Sequence, residues 1–113
     1  WELVVGDCSA LADDVDVYCV TRIAIGKNTV VSQGAYLCAA THDYTSMRYP
    51  LIPKPVYIGD NCWVAAYAMI LPGVSVHDGS VVGARAVVTR NVEAWSVVVG
   101  HPAIKIKDRV VKG

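Results

Sequence analysis

The sequence predicts an all-β fold, a parallel β-helix built from six-residue repeats, and three observations in the stretch from Ile58 to Glu93 predict it. An aliphatic residue heads every hexad (Ile58, Val64, Ile70, Val76, Val82, Val88). The fifth position is always small or β-branched (Cys62, Ala68, Val74, Ser80, Ala86, Val92), and glycine follows the head at Gly59 and Gly83. A helix would space its apolar residues by about 3.6 and a half-buried strand by two, so a strict six excludes both. Each hexad instead reads as one short strand plus a corner, with three hexads closing a triangular coil.

The frame extends towards the N-terminus. Heads Val5, Leu11 and Val17 carry Ser9, Val15 and Thr21 at the fifth positions. After a two-residue slip near Val20 to Ile23, the frame resumes as Ile25, Val31 and Leu37, with Thr29, Ala35 and Thr41. Every head is Val, Ile or Leu. The slip reads as a bulged corner. The repeat is already in step by Val5, which raises the expectation of further coils upstream. A larger interruption, HDYTSMRYPLIPKPVY from His42 to Tyr57, fits no hexad, and its body at 43–57 is read as an excursion loop. A long excursion in a regular solenoid points to function. Its apolar Met47, Leu51 and Ile52 suggest packing against another subunit. The expected division is a β-helix domain over 1–93 and a C-terminal capping segment over 94–113. In that segment a short β-like run turns at Gly100-His101-Pro102 into a strand doubling back or a short helix. Such a cap would cover the last coil's open edge.

Composition narrows the function classes. Hydrophobic residues make up 54% of the 113 residues, as a solenoid that sends two side chains per hexad inward requires. Ten basic and ten acidic side chains cancel, so no global field favours nucleic acid or an anionic membrane. No apolar run approaches the roughly 18 residues that span a bilayer. Cys8, Cys19, Cys38 and Cys62 form neither a CxxC pair nor a metal spacing. They read as small buried hydrophobes in a reducing, cytoplasmic setting, Cys62 most clearly.

A filled interior leaves no room for a ligand, so a site must lie on a face or between subunits, near the excursion. His42, in Thr41-His42-Asp43, has the side chain suited to take a proton near neutral pH. It reads equally as a loop histidine bonded to a nearby carbonyl. Asp43 reads either as the group orienting His42 or as a turn residue. Small residues in Trp63-Val64-Ala65-Ala66 and Gly83-Ala84-Arg85-Ala86 would let a ligand lie against the backbone, or merely satisfy corners. Thr89 and Arg90, with Lys105 and Lys107, form either a phosphate site or a solvated basic tail.

The runs SQGAYLC (Ser32 to Cys38), THDY (Thr41 to Tyr44) and LPGV (Leu71 to Val74) resemble the hexapeptide-repeat acetyltransferases. The likeness is strongest to the colanic acid biosynthesis branch of the maltose, galactoside and nodulation-factor O-acetyltransferase group, and it covers nearly the whole chain. The resemblance implies a left-handed β-helix, a homotrimer with acetyl-CoA bound between subunits, no metal, and a saccharide acceptor. The catalytic histidine falls on His42, with the Ala66 N–H as candidate oxyanion donor. Donor contacts fall on Trp63, Ala66, Ala84, Thr89, Arg90 and Lys107. Acceptor contacts are expected from Asp16, Tyr18, Gln33 and Tyr36. The family's GlyAsnProAla is here Gly100-His101-Pro102-Ala103, and its ThrLysAsp is Thr89-Arg90-Asn91, in which arginine keeps the charge. The rival readings are a noncatalytic β-helix scaffold, an N-acetyltransferase acting on an amino sugar, and a zinc lyase of the β-helical carbonic anhydrase type. The last would need a close-spaced histidine pair, which His42, His77 and His101 do not supply.

Overall fold

The computed structural model describes residues 2–112, and the outer limits of the two expected segments, 1 and 113, lie outside them. Strands β1 (Glu2–Val5), β2 (Ala10–Leu11) and β3 (Asp16–Tyr18) form the first coil, and β4 (Arg22–Ile25), β5 (Val30–Val31) and β6 (Tyr36–Cys38) the second. A hairpin of β7 (Ala40–His42) and β8 (Leu51–Pro53) follows. The third coil is β9 (Val56–Ile58), β10 (Trp63–Val64) and β11 (Met69–Ile70), and the fourth is β12 (Ser75–Val76), β13 (Val81–Val82) and β14 (Val87–Val88). Strands β15 (Ser96–Val99) and β16 (Ile104–Asp108) close the chain. Corresponding strands stack as parallel sheets on three faces of a left-handed β-helix measuring 53 × 28 × 21 Å. We number the faces by their first strands: β1-β4-β9-β12, β2-β5-β10-β13-β15-β16, and β3-β6-β11-β14.

The hexad heads form the core. From Ile25 to Val88 each is at most 3% exposed, and they stack in register, as in Val31↔Val64↔Val82 and Leu37↔Ile70↔Val88. The same positions in the first coil are open at the end of the stack, with Val5 40% and Leu11 36% exposed. Fifth positions are small because they turn inward at corners, except Thr41, which lies exposed on the hairpin. At the corner between the first and second faces they are also hydrogen-bonded in a column. Ser9 Oγ donates to Gly26 O (2.6 Å), Thr29 Oγ1 to Gly59 O (2.7 Å), Cys62 Sγ to His77 O (3.3 Å) and Ser80 Oγ to Glu93 O (2.6 Å). The glycine after the head has a separate cause. A Cβ at Gly26 would lie 2.2 Å from Asp60 Oδ1, and one at Gly59 would lie 2.1 Å from Asp78 Oδ1. Each carboxylate reaches back one coil to accept a backbone N–H, Lys27 N and Asp60 N respectively, both at 2.7 Å.

Three boundaries differ from the sequence expectation. The excursion is a β-hairpin whose first arm begins at Ala40, with Thr41↔Ile52 and His42↔Leu51 paired. Val56 and Tyr57 belong to the third coil, not to a loop over 43–57, because they pair with Ile23 and Ala24. Ser96–Val99 likewise lies in the solenoid wall, paired with β13, so the cap is shorter than 94–113. Hexad counting fails there because the step from Val82 to its partner Val98 is two residues shorter than that from Val64 to Val82. The first face holds only the single bridge Val76↔Val92 at that level. After a turn at Gly100–Ala103, β16 doubles back antiparallel on β15.

Candidate active site

The third face and its two bordering corners gather most of the residues singled out above. Asp16 and Tyr36 are directly paired across strands and continue in register to Met69 and Val87, while Tyr18 pairs with Cys38. Alternation along each strand turns these side chains outward, because the residue between them, Val17 or Leu37, is a head that points inward. Tyr36 is pushed up to about 12 by the Cys38 thiol beside it and by partial burial. Its hydroxyl therefore remains a neutral donor at any physiological pH.

The corner leading onto this face carries Gln33, Ala66 and Ala84 in successive coils. Carbonyls and amides link them, with Tyr67 N donating to Gln33 O (3.0 Å) and Arg85 N to Ala66 O (3.0 Å). Among the described residues, the N–H groups of Ala66 and Ala84 donate to nothing. Small side chains there leave these donors open to a flat ligand or a developing negative charge. Tyr67 lies across Gly34, whose added Cβ would meet the ring at 2.3 Å, and the Arg85 guanidinium sits 5.4 Å from the Tyr67 ring centroid. A corner of polar backbone is thus lined by an aromatic ring and a cation.

The opposite corner carries Thr89 and Arg90 and is where the hairpin leaves the solenoid. His42, at the end of β7, is exposed, and its Nδ1 lies 2.7 Å from Tyr49 O. A carbonyl only accepts, so Nδ1 carries the proton in the neutral ring and the Nε2 lone pair is left open. Tyr49 presents that carbonyl from a left-handed conformation, φ 47°, which is unfavourable by about 1 kcal/mol for a residue with a Cβ. Asp43 does not orient the imidazole. Its carboxylate accepts from both the N–H and the hydroxyl of Thr45, and the hydroxyl bond first, then the amide, holds Asp43 below its ordinary 3.8. Of the two readings of His42, the structure displays the carbonyl bond, and that bond also fixes the tautomer a base requires.

Trp63 and Lys107 lie apart from this group, on the second face. Trp63 is 48% exposed and donates its indole N–H to Ser32 Oγ (2.9 Å), which leans the ring towards the Ala66 corner. Lys107 is on the outer strand β16, opposite Val97. The cations expected to converge do so only in part. Arg90 and Lys105 line one cavity of about 270 Å³ at the end of the solenoid, with Asn91, Glu93 and Ser96. Lys105 is also held by Asp108 (2.8 Å) and Glu93 (3.3 Å), which raise its pKa. His42, His77 and His101 stand on the hairpin, a corner and the terminal turn, and no three metal-ligating side chains gather among the described residues. One group escaped sequence reading: the Tyr49 carbonyl, which any residue would supply.

Comparison with known proteins adds an independent finding. Residues 55–90 match the family described as bacterial transferase hexapeptide (six repeats). The Escherichia coli (strain K12) protein WcaF, whose name assigns it to colanic acid biosynthesis acetyltransferases, is 41% identical over 97% of this chain and 60% of its own length. A chloramphenicol acetyltransferase of Morganella morganii is 42% identical over 86% of this chain and 54% of its own. Among solved structures, a hexapeptide-repeat acetyltransferase of Vibrio cholerae complexed with acetyl coenzyme A superposes with a TM-score of 0.90. It is 25% identical and covers 96% of this chain and 61% of that one. The chain thus spans about three fifths of the length of these relatives.

Proposed function

The chain belongs to the hexapeptide-repeat family of bacterial transferases, and from that premise we propose that it transfers acetyl from acetyl-CoA to a saccharide hydroxyl. The observation that carries the reading is the His42 bond to Tyr49 O, which leaves Nε2 poised as a base on an exposed hairpin beside the third face. Nε2 takes the acceptor's hydroxyl proton as that oxygen attacks the thioester carbonyl. Because His42 and Ala66 border opposite edges of the third face, the two serve one substrate across a subunit boundary, where the free N–H of Ala66 meets the oxyanion. Collapse breaks the carbon–sulfur bond, and the imidazolium returns the proton to the CoA thiolate. No acyl-enzyme forms, and alignment of two substrates supplies much of the acceleration.

The donor runs past Trp63, Ala66 and Ala84, with its phosphates near Thr89, Arg90 and Lys107. The acceptor lies over Asp16, Tyr18, Gln33 and Tyr36. A homotrimer provides the second wall of each cleft, and its formation would cover the exposed hairpin residues Tyr44 and Met47. Polysaccharide precursors in the cytoplasm suit four unpaired thiols. A drug hydroxyl is the second candidate acceptor, favoured by the likeness to the Morganella morganii protein.

Free CoA release from acetyl-CoA is the test, run against mono- and disaccharides, amino sugars and chloramphenicol. Turnover with a sugar hydroxyl should fall about 10²- to 10⁴-fold in His42→Ala while acetyl-CoA binding persists. Undiminished turnover in His42→Ala refutes the mechanism. A folded protein that binds no acetyl-CoA refutes the enzyme and favours a scaffold.

A further inference from the structure

Strand β16 has a stability problem. All five of its side chains are exposed, Ile104 and Ile106 by more than half, so it contributes nothing to the core. Held by its ladder to β15 and by the exposed Lys105–Glu93 pair, such a strand belongs to the parts of a protein that open first. The next residue along the chain is anchored far more firmly. Arg109 Nη1 donates to Asn61 O at 2.6 Å and to Gly79 O at 3.0 Å, and Arg109 N donates to Trp95 O at 2.7 Å. Its guanidinium lies 5.8 Å from the Trp95 ring centroid, and that ring covers Gly79 so closely that an added Cβ would meet it at 2.3 Å.

Asn61, Gly79 and Trp95 are the same corner position in three successive coils, all in the left-handed conformation at φ 57°, 74° and 58°. That conformation turns their carbonyls out of the strand ladders. Among the described residues, the Asn61 and Gly79 carbonyls have no other partner. Nη1 alone donates to both carbonyls while the guanidinium lies over the indole, and that planar stacking is what a lysine would not reproduce.

We propose that Arg109 is a positioning residue for the acyl-donor site: by pinning the tail across three coils it fixes β16, and with it Lys107. This role rests on Lys107 serving the donor phosphates, as proposed for the transfer reaction. The test compares Arg109→Ala, Arg109→Lys and Lys107→Ala by hydrogen exchange of the β16 amides and by steady-state kinetics. In Arg109→Ala the amides of 104–108 should lose protection while those of β13 keep theirs, which separates release of the strand from global unfolding. The KM for acetyl-CoA should rise about 3- to 10-fold with kcat within two-fold, and adding Lys107→Ala should change it little further. Arg109→Lys should fall between.

Unchanged exchange in β16 would overturn the clamp. Released β16 with an unchanged KM would overturn its role at the donor site. A parent protein that binds no acetyl-CoA would refute the donor reading and the link to Lys107, while the exchange data still decide whether Arg109 holds the strand.

Discussion

Replacing Gly59 by alanine tests why glycine follows a hexad head. The new Cβ would stand 2.1 Å from Asp78 Oδ1 and 2.9 Å from Asp78 N. The carboxylate must leave, breaking its 2.7 Å bond from Asp60 N. A hydrogen bond to a charged acceptor is worth about 1.5–3 kcal/mol, and solvent at this exposed corner reduces that to about 1 kcal/mol. The backbone contact persists after the carboxylate moves, and spreading two coils adds about 1–2 kcal/mol. Gly59→Ala should therefore cost about 2–3 kcal/mol, less a few tenths recovered from unfolded-chain entropy. Asp78→Ala alone should cost about 1 kcal/mol. Because both variants lose the same bond, the double variant should resemble Gly59→Ala and not the sum, a coupling of about 1 kcal/mol. At this chain length 1 kcal/mol corresponds to about 4 °C in Tm. Thermal unfolding by circular dichroism, at one fixed protein concentration, reads all three. Strict additivity, or a Gly59→Ala loss under about 1 kcal/mol, would refute the packing argument.

Burial pushes the Cys62 thiol above its ordinary 9.0, whereas Cys8 is exposed. A thiol reagent should label Cys8 in the native protein and reach Cys62 only as fast as the chain unfolds. The folded state holds Cys62 neutral, so its contribution is intact below pH 9.0 and is lost as pH climbs towards the native value; the urea midpoint should fall between pH 7.5 and 10 less in Cys62→Ala than in the parent. Asp43 has the opposite sign: lowered from 3.8 by Thr45, it supports the hairpin turn above that pH and ceases to as pH falls through its native value. A carboxyl titration by NMR should place Asp43 below 3.8 in the parent and move it part of the way back up in Thr45→Val, whose amide still donates, and an unmoved midpoint would remove the Thr45 hydroxyl as a cause.

The core was legible because each buried head is one residue in six and burial selects its type directly. Val31, Val64 and Val82 could be placed in one column by counting alone. Counting failed where spacing changed, at the short last coil and at Val56 and Tyr57, which look like loop after two prolines and yet pair with Ile23 and Ala24. The site residues were named by resemblance and by residue type, and their grouping was not foreseeable. That Asp16 stands beside Tyr36, or that Lys107 sits a face away from Thr89, depends on which corner each coil presents.

What the sequence alone determined, then, is the solenoid and its interior, since a repeat of six fixes which side chains point inward whatever their distant neighbours are. Tertiary structure alone decided the polar connections. The Tyr49 carbonyl under His42 and the Arg109 bonds to Asn61 and Gly79 join side chains to main-chain atoms that lie well away in the chain. A main-chain carbonyl has no residue type to announce it, and only the closed coil brings it within a hydrogen bond of its partner.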